Sequence, residues 1–269
     1  KDFKNILKEV HKHYNEKYFI YKSIIINNLF GVDIMEEAVE ICKLRLFLKM
    51  VAQIEKTENL EPLPDIDFNV RAGNTLVGFA SLDEVRDVLK KDLVEQMTLP
   101  EIEEQAQNID RAYQIFRQMQ TKQKMDAAKF SSDKETLNTA LSKLETRLNG
   151  YLAGVYGIKE NTKKYKKDYE KWLKSHQPFH WCIEFYGIID SGGFDVIIGN
   201  PPYVEYSKVR NEYQLPRDIY RTECCGNLYS FIVERSFSFI GDKAYSGYII
   251  PTSSISTERM KPFQEILYN

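Results

Sequence analysis

What this sequence lacks narrows it first. No apolar run approaches the roughly 20 residues a membrane-spanning helix requires, and the opening Lys1-Asp2-Phe3-Lys4 is not a secretory leader. The expectation is therefore a soluble, cytoplasmic chain. Cysteine is scarce: Cys42, Cys182, Cys224 and Cys225 form no Cys-x-x-Cys pair, so a disulfide framework is excluded and reduced thiols are expected. Histidine is scarcer still. His11 and His13 fall on different sides of a helix, while His176 and His180 could share a face but have no further Cys or His nearby, so no metal centre is expected. There is also no surplus of charge, the formal net value being −2. Any basic surface for nucleic acid must then be local. The strongest candidate is Lys159 to Lys174, KENTKKYKKDYEKWLK, with seven lysines interleaved with Tyr165, Tyr169 and Trp172. Such a run reads first as a solvated helix face and second as a DNA contact.

What is present is enough apolar residue, 43% of 269 positions, to bury a real core. Phe3, Ile6, Leu7, Val10 and Tyr14 recur at helical spacing over residues 3 to 21. Asn28 to Asp33 then reads as a short strand ended by an acid, and Ala38 to Leu48 as a helix. Pro62 and Pro64 break the chain before a second strand, Phe68 to Ala72, which closes on Gly73-Asn74. From Ser81 to about Asn149 the composition turns to Glu, Gln, Lys and Leu, which predicts a helical insertion. Asn108 to Met125 and Lys134 to Leu148 are expected to pair as a hairpin, with Phe130-Ser131-Ser132-Asp133 as turn and cap. Order of the strand kind returns after Pro178. Phe194-Asp-Val-Ile-Ile-Gly199 is nearly continuous apolar, the pattern of a strand covered on both faces of a parallel sheet. Asn227 to Ile240 reads as a helix, Gly247 to Thr252 as a strand, and Glu258 onward as a partial helix. Alternating strands and helices predict an α/β doubly wound sheet with ligands at the carboxyl ends of the strands.

At one such end stands Asn200-Pro201-Pro202-Tyr203. Two prolines fix two φ angles and push Asn200 out of the helical region, so the loop is stiff and extended. The Asn200 side-chain oxygen and the Pro201 carbonyl are both acceptors, and neither proline brings a competing N–H. Two fixed acceptors suit an aromatic amine, whose lone pair is delocalised: they draw its nitrogen toward tetrahedral geometry and stabilise the positive charge that develops as it attacks. Tyr203 offers a flat face on which an extruded base stacks, worth about 1 to 3 kcal/mol. The plainer alternative is a rigid turn whose tyrosine packs.

These residues resemble the amino-methylating DNA methyltransferases, and within them the large adenine-specific type II enzymes that join restriction to modification. Asn28-Leu-Phe-Gly-Val-Asp33-Ile34 with Ala38-Val-Glu-Ile-Cys-Lys-Leu-Arg-Leu46 resembles the family's second motif. The resemblance implies S-adenosylmethionine as cofactor, with Asp33 accepting from the ribose hydroxyls and Ile34 beside it; the plainer role for Asp33 is a helix cap. Arg71-Ala-Gly-Asn74-Thr75-Leu-Val-Gly78 is similar to the third motif, which implies that Asn74 and Thr75 contact the cofactor's adenine, although many relatives carry Asp in place of Asn74. Leu76 and Phe79 read as core. The resemblance makes Asn200, Pro201, Pro202 and Tyr203 the catalytic loop, with Asn200 also close to the cofactor, and double-stranded DNA with a flipped adenine the substrate. His180-Trp181 is similar to the lead-in to the fourth motif and is given a packing role.

The resemblance covers about 1–80 (second and third motifs) and 176–269 (fourth to sixth), with the helical insertion, 81–175, outside it. It also implies an absence. The Gly-rich Asp-Pro-x-x-Gly-x-Gly motif of relatives does not occur here, so the expected fold is a Rossmann-like sheet missing its first strand, and the chain is expected to bind cofactor poorly and not to methylate DNA by itself. Two strands would then carry unpaired edges, which predicts dimerisation, exchange of elements or closure of the gap. A nuclease centre is disfavoured because the only acid-x-Lys is Asp2-Phe3-Lys4. Two further readings stay open: a scaffold or DNA-contacting module on the same fold, and an amino-methyltransferase acting on protein glutamine or RNA.

Overall fold

A computed structural model describes residues 10–54, 61–90, 96–121, 126–160, 162–216 and 219–268. Residues 3–9 of the helix expected over residues 3 to 21 lie outside the described residues; residues 10–12 and 16–21 are helical, with a turn between them. The first regular helix, α1, spans Glu16–Asn28. The chain is mixed α/β and divides into two compact units, residues 1–73 with 111–137, and residues 74–110 with 138–269. The expected helical insertion thus contributes to both.

In the first unit, α1 turns Tyr18, Ile25 and Ile26 inward, and these pack with Val39, Met50, Ile66 and Val70. The last carbonyls of a helix have no partner within it, and here one buried side chain supplies three. Asn69 Nδ2 donates to the carbonyls of Ile25, Ile26 and Leu29 at 3.3, 3.0 and 3.0 Å, while its Oδ1 accepts from Tyr113 Oη at 3.0 Å. That clamp sets the exit of α1 into β1 (Gly31–Asp33), which pairs parallel with β2 (Val70–Ala72), Asp33 opposite Ala72. Helix α2, Glu36–Val51, joins the two strands. Its buried residues are Val39 and Met50; Ile41, Leu44 and Leu48 are exposed.

In the second unit, α3 (Leu82–Leu89) follows a Ser81 cap. Helices α4 (Leu99–Met119) and α5 (Ala127–Val155), each belonging partly to the first unit and partly to the second, take in most of the expected hairpin arms and run beyond them. The expected turn at Phe130 to Asp133 is a correction: those residues are helical. Asp126 Oδ1 accepts from the amides of Ala128 and Lys129 at 3.1 and 3.2 Å, so the cap falls earlier. Phe130, stacked on Phe116 at 4.5 Å, then belongs to the packed face of a helix. Helix α6, Tyr165–His176, carries the lysine run.

Strand β3, Phe194–Gly199, pairs parallel with β4, Ile240–Tyr248, ending at Gly199 opposite Tyr248; α7, Leu228–Ser236, is the crossover between them. The parallel pairing is as expected, and β4 begins seven residues before the expected Gly247. Among the described residues β1 pairs only with β2, in the first unit, and β3 only with β4, in the second, so each unit carries one short parallel pair. One expectation fails. Strand β3 is not covered on both faces, because Val196 is 58% and Ile198 82% exposed; the apolar run marks residues that could be buried, and a two-stranded sheet does not bury them. The aromatic cluster under the start of β3 is well packed, with Trp181 stacked on Phe239 at 4.0 Å and Phe185 edge-on to Phe194 at 5.9 Å. The partial helix expected from Glu258 is present as a 3₁₀ turn, Glu258–Met260, running into α8, Lys261–Tyr268. No described helix is long and apolar enough to cross a membrane.

Candidate functional site

The carboxyl ends of β3 and β4 are tied together where the Asn200-Pro201-Pro202-Tyr203 loop leaves the sheet: the Ile249 amide donates to the Gly199 carbonyl at 3.1 Å. Pro201 is buried, while Asn200, Pro202 and Tyr203 are exposed. The structure brings the two ends of the loop together. Tyr203 Oη donates to the Ile249 carbonyl at 2.7 Å and lies 3.3 Å from Asn200 Oδ1, and its ring meets Tyr229 edge-on at 6.2 Å. The tyrosine is therefore braced at its hydroxyl and on one edge yet about half exposed. The chain continues as an antiparallel bridge, Glu205 to Asn227, and Leu228 donates to the Val204 carbonyl at 2.9 Å. Asn227 then caps α7 through Tyr229 N at 3.5 Å. The loop is thus fastened at both ends by main-chain bonds.

Asn74 sits on a second loop of the same unit. It is 4% exposed, its amide donates to the Gln177 carbonyl at 2.8 Å, and its Oδ1 accepts from Leu76 N at 3.0 Å. That last bond fixes which way the amide points, because the opposite orientation would set two donors against each other. Asn74 Nδ2 is then a buried donor with no protein partner, a state proteins usually avoid and that a ligand acceptor would relieve. Thr75 is half-buried, and Leu76 and Phe79 are core, as expected.

Several residues that the sequence reading missed hold this loop. Gly78 has φ 139°, and a Cβ there would lie 1.9 Å from the Phe179 carbonyl oxygen. Buried Arg235, from α7, donates to the Gly78 carbonyl at 2.5 Å and to Glu84 Oε1 at 2.6 Å, while Glu84 Oε2 accepts from Ala80 N at 2.8 Å. Tyr220 Oη donates to the Leu76 carbonyl at 3.0 Å. Tyr220 stacks on Phe231 at 5.4 Å, which meets Tyr206, three residues beyond Tyr203, also at 5.4 Å. Only Ser81-Leu-Asp-Glu84, a capping box, was legible in sequence. The Arg235 partnership spans 151 residues and has no sequence signature.

His180 does more than pack. It is fully buried, its Nδ1 accepts from Phe79 N at 3.1 Å, and its Nε2 lies 3.0 Å from Asn149 Oδ1. A backbone donor on Nδ1 places the single hydrogen on Nε2, so the ring is neutral. Burial, reinforced by the nearby Arg235 charge, holds its pKa down to about 3.

Asp33 and Ile34 belong to the first unit, apart from the other four sequence-predicted positions and from Asn74 and Thr75. Asp33 ends β1 exposed, and its Oδ1 accepts from Met35 N at 2.8 Å. That bond forms a local turn ahead of α2 rather than the helix cap weighed for it, since the N-cap of α2 is Met35, with no side-chain cap bond.

The chain is mixed α/β, with parallel strands that end in the Asn-Pro-Pro-Tyr loop. Residues 27–269 match the family model described as the Eco57I restriction-modification methylase, and the chain belongs to that family. It is also 32% identical over 299 aligned residues to a Methanocaldococcus jannaschii protein named as a type II restriction enzyme and methyltransferase. The alignment covers 94% of this chain and 24% of that relative, so the chain spans about a quarter of the relative's length. No solved structure matches.

Proposed function

We propose that the Asn200-Pro201-Pro202-Tyr203 loop presents an adenine, flipped out of duplex DNA, for methylation at N6 with S-adenosylmethionine as the methyl donor. The supporting observation is the Tyr203 hydroxyl lying 3.3 Å from Asn200 Oδ1 on an exposed residue: the amide oxygen already meets one hydrogen-bond donor and is accessible to a second, such as an amine N–H. Asn200 Oδ1 and the Pro201 carbonyl orient the two amine hydrogens and favour the pyramidal, cationic nitrogen of the transition state. Tyr203, held by its hydroxyl on the Ile249 carbonyl, supports the base by stacking. S-adenosylmethionine supplies the methyl group when bound.

Each unit by itself carries a group of the kind that cofactor would use. In the first, the exposed Asp33 carboxylate is an acceptor suited to a vicinal diol. Asn74 differs from the simplest expectation, in which its oxygen accepts from the adenine amine. With Oδ1 engaged by Leu76 N and Nδ2 unsatisfied, its available function is donation, which suits an unprotonated ring nitrogen of adenine.

The test is methyl transfer to duplex DNA with this chain in its natural polypeptide, scored by nucleoside digestion. N6-methyladenine is the expected product, and Asn200→Ala should lower kcat about 100- to 1,000-fold, the effect of losing one preorganised polar group, with DNA affinity retained. A methylated cytosine product, or transfer indifferent to Asn200, would sink the proposal.

A further inference from the structure

We infer that the lysine face of α6 is a contact surface for the phosphate backbone of duplex DNA, an inference that rests on the proposed action on DNA. Lys167, Lys171 and Lys174 recur at i, i+4 and i+7, which places them on one stripe of the helix. Lys163 and Lys164 extend the stripe through the preceding turn and Lys166 flanks it; all six are exposed, as is Lys159. The segment holds seven lysines against three acids, Glu160, Asp168 and Glu170, in a chain whose net charge is −2. Two other helical bases of this unit do meet acids, Lys90 with Asp87 at 2.6 Å and Arg147 with Glu101 at 3.0 Å. Among the described residues no ion pair involves any of the seven lysines of this segment.

The helix can face outward in only one way. Its opposite side is an aromatic stripe, with Trp172 and His176 buried, Tyr165 stacked on Tyr169 at 5.4 Å, and Tyr156 packed 5.4 Å from Trp172 and 4.9 Å from His176. With the rings anchored, the lysines point to solvent.

The Asn74 loop touches the end of α6, and so does the segment some ten residues beyond Tyr203. Its C-cap, Gln177, takes a left-handed conformation at φ 44° and its carbonyl accepts from Asn74 N at 2.8 Å. His176 meets the ring of Tyr213 edge-on at 6.4 Å, on the segment that follows the Asn200–Tyr203 loop, and Tyr213 N donates to the Val209 carbonyl at 3.1 Å. A 12-residue helix is about 18 Å long, and duplex DNA carries one charge per about 1.7 Å of axis. The stripe is therefore long enough to meet several phosphates on a duplex held by the loop.

The test is salt-dependent binding of the 269-residue chain to a fluorescein-labelled 30-base-pair duplex, read by anisotropy. Replacing Lys163, Lys167, Lys171 and Lys174 with Gln removes charge and keeps the aromatic face. The expected result is at least about tenfold weaker binding near 0.1 M salt and a fall of about 2 or more in the slope of log K against log salt. The same four positions changed to Arg should retain both. Removing four exposed lysines elsewhere, Lys12, Lys143, Lys243 and Lys261, to Gln should do less on both measures. Equal losses in the two Gln sets would overturn the inference, as would binding by the wild-type chain to poly-glutamate but not to duplex. If the α6 Gln variant does not fold, acetylation footprinting of the wild-type chain decides: these lysines should be protected by duplex, and unchanged labelling refutes the contact. The two readings fail separately. Steep duplex binding unaffected by the α6 substitutions leaves the adenine proposal standing, and α6-dependent binding without Asn200-dependent methylation leaves the contact standing.

Discussion

The fully buried His180 ties the long helix α5 to the Asn74–Ala80 loop, and its titration gives a stability signature that can be worked out in advance. The folded pKa is about 3, against an ordinary 6.5. Because the folded value is depressed, the neutral ring stabilises the fold fully above pH 6.5; as pH falls below that, the unfolded chain binds a proton that the folded chain refuses, and stability drains until about pH 3. Each pH unit in that window is worth about 1.4 kcal/mol per proton, so from pH 6.5 to pH 4 this one residue removes about 3 kcal/mol. Other groups titrate there too, so the quantity to measure is a difference. His180→Gln keeps a donor for Asn149 and does not titrate, although Phe79 N loses its acceptor, which should destabilise the chain by about 1 to 3 kcal/mol at pH 7.5. Urea unfolding at half-unit steps from pH 7.5 to 4 gives both curves. The variant's deficit should shrink steadily with falling pH, and the two curves should converge or cross. Parallel curves would show that His180 is not held neutral, and the tautomer and burial argument would fall with them.

Gly78→Ala should destabilise by several kcal/mol or displace the loop, since its Cβ would sit 1.9 Å from the Phe179 carbonyl oxygen at φ 139°; a thermal melt within a degree or two of wild type would contradict this. Asn69→Ala removes the donor shared by three carbonyls and the acceptor of the Tyr113 hydroxyl, with an expected loss of about 2 to 4 kcal/mol in urea unfolding; a loss below about 0.5 kcal/mol would refute the clamp. Tyr203→Phe removes the hydrogen bond to the Ile249 carbonyl but keeps the ring, so kcat/KM for methyl transfer in the natural polypeptide should fall about two- to tenfold. Tyr203→Ala also removes stacking and should fall at least tenfold further. Equal losses in the two variants would argue against a stacking role.

Much of the first layer was legible because it is local. Alternation of apolar runs and acidic or glycine-rich turns marked β1, α2, β2 and β3 close to where they lie, and two prolines after a strand made the Asn200–Tyr203 loop stiff whatever surrounds it. Local signals also misled where a longer-range contact outweighed them. Phe130-Ser-Ser-Asp133 has turn composition, yet the cap is Asp126 and the stack of Phe130 on Phe116 draws the segment into α5. The apolar content of β3 said the strand could be buried on both faces; the two-stranded sheet leaves Val196 and Ile198 exposed.

By itself, then, the sequence determined the carboxyl ends of β1, β2 and β3, the stiff acceptor loop and its family resemblance, because each depends on residues within about one turn or strand of one another. Only the tertiary structure decided which acceptors are engaged and what holds them. It set Tyr203 beside Asn200 and on the Ile249 carbonyl, turned Asn74 into a donor by giving its oxygen to Leu76, and locked the Asn74–Ala80 loop with Arg235, Tyr220 and His180. Most of those anchors lie far along the chain from what they hold. Hydrogen-bond polarity is fixed by neighbours in space, and composition does not encode who those neighbours are.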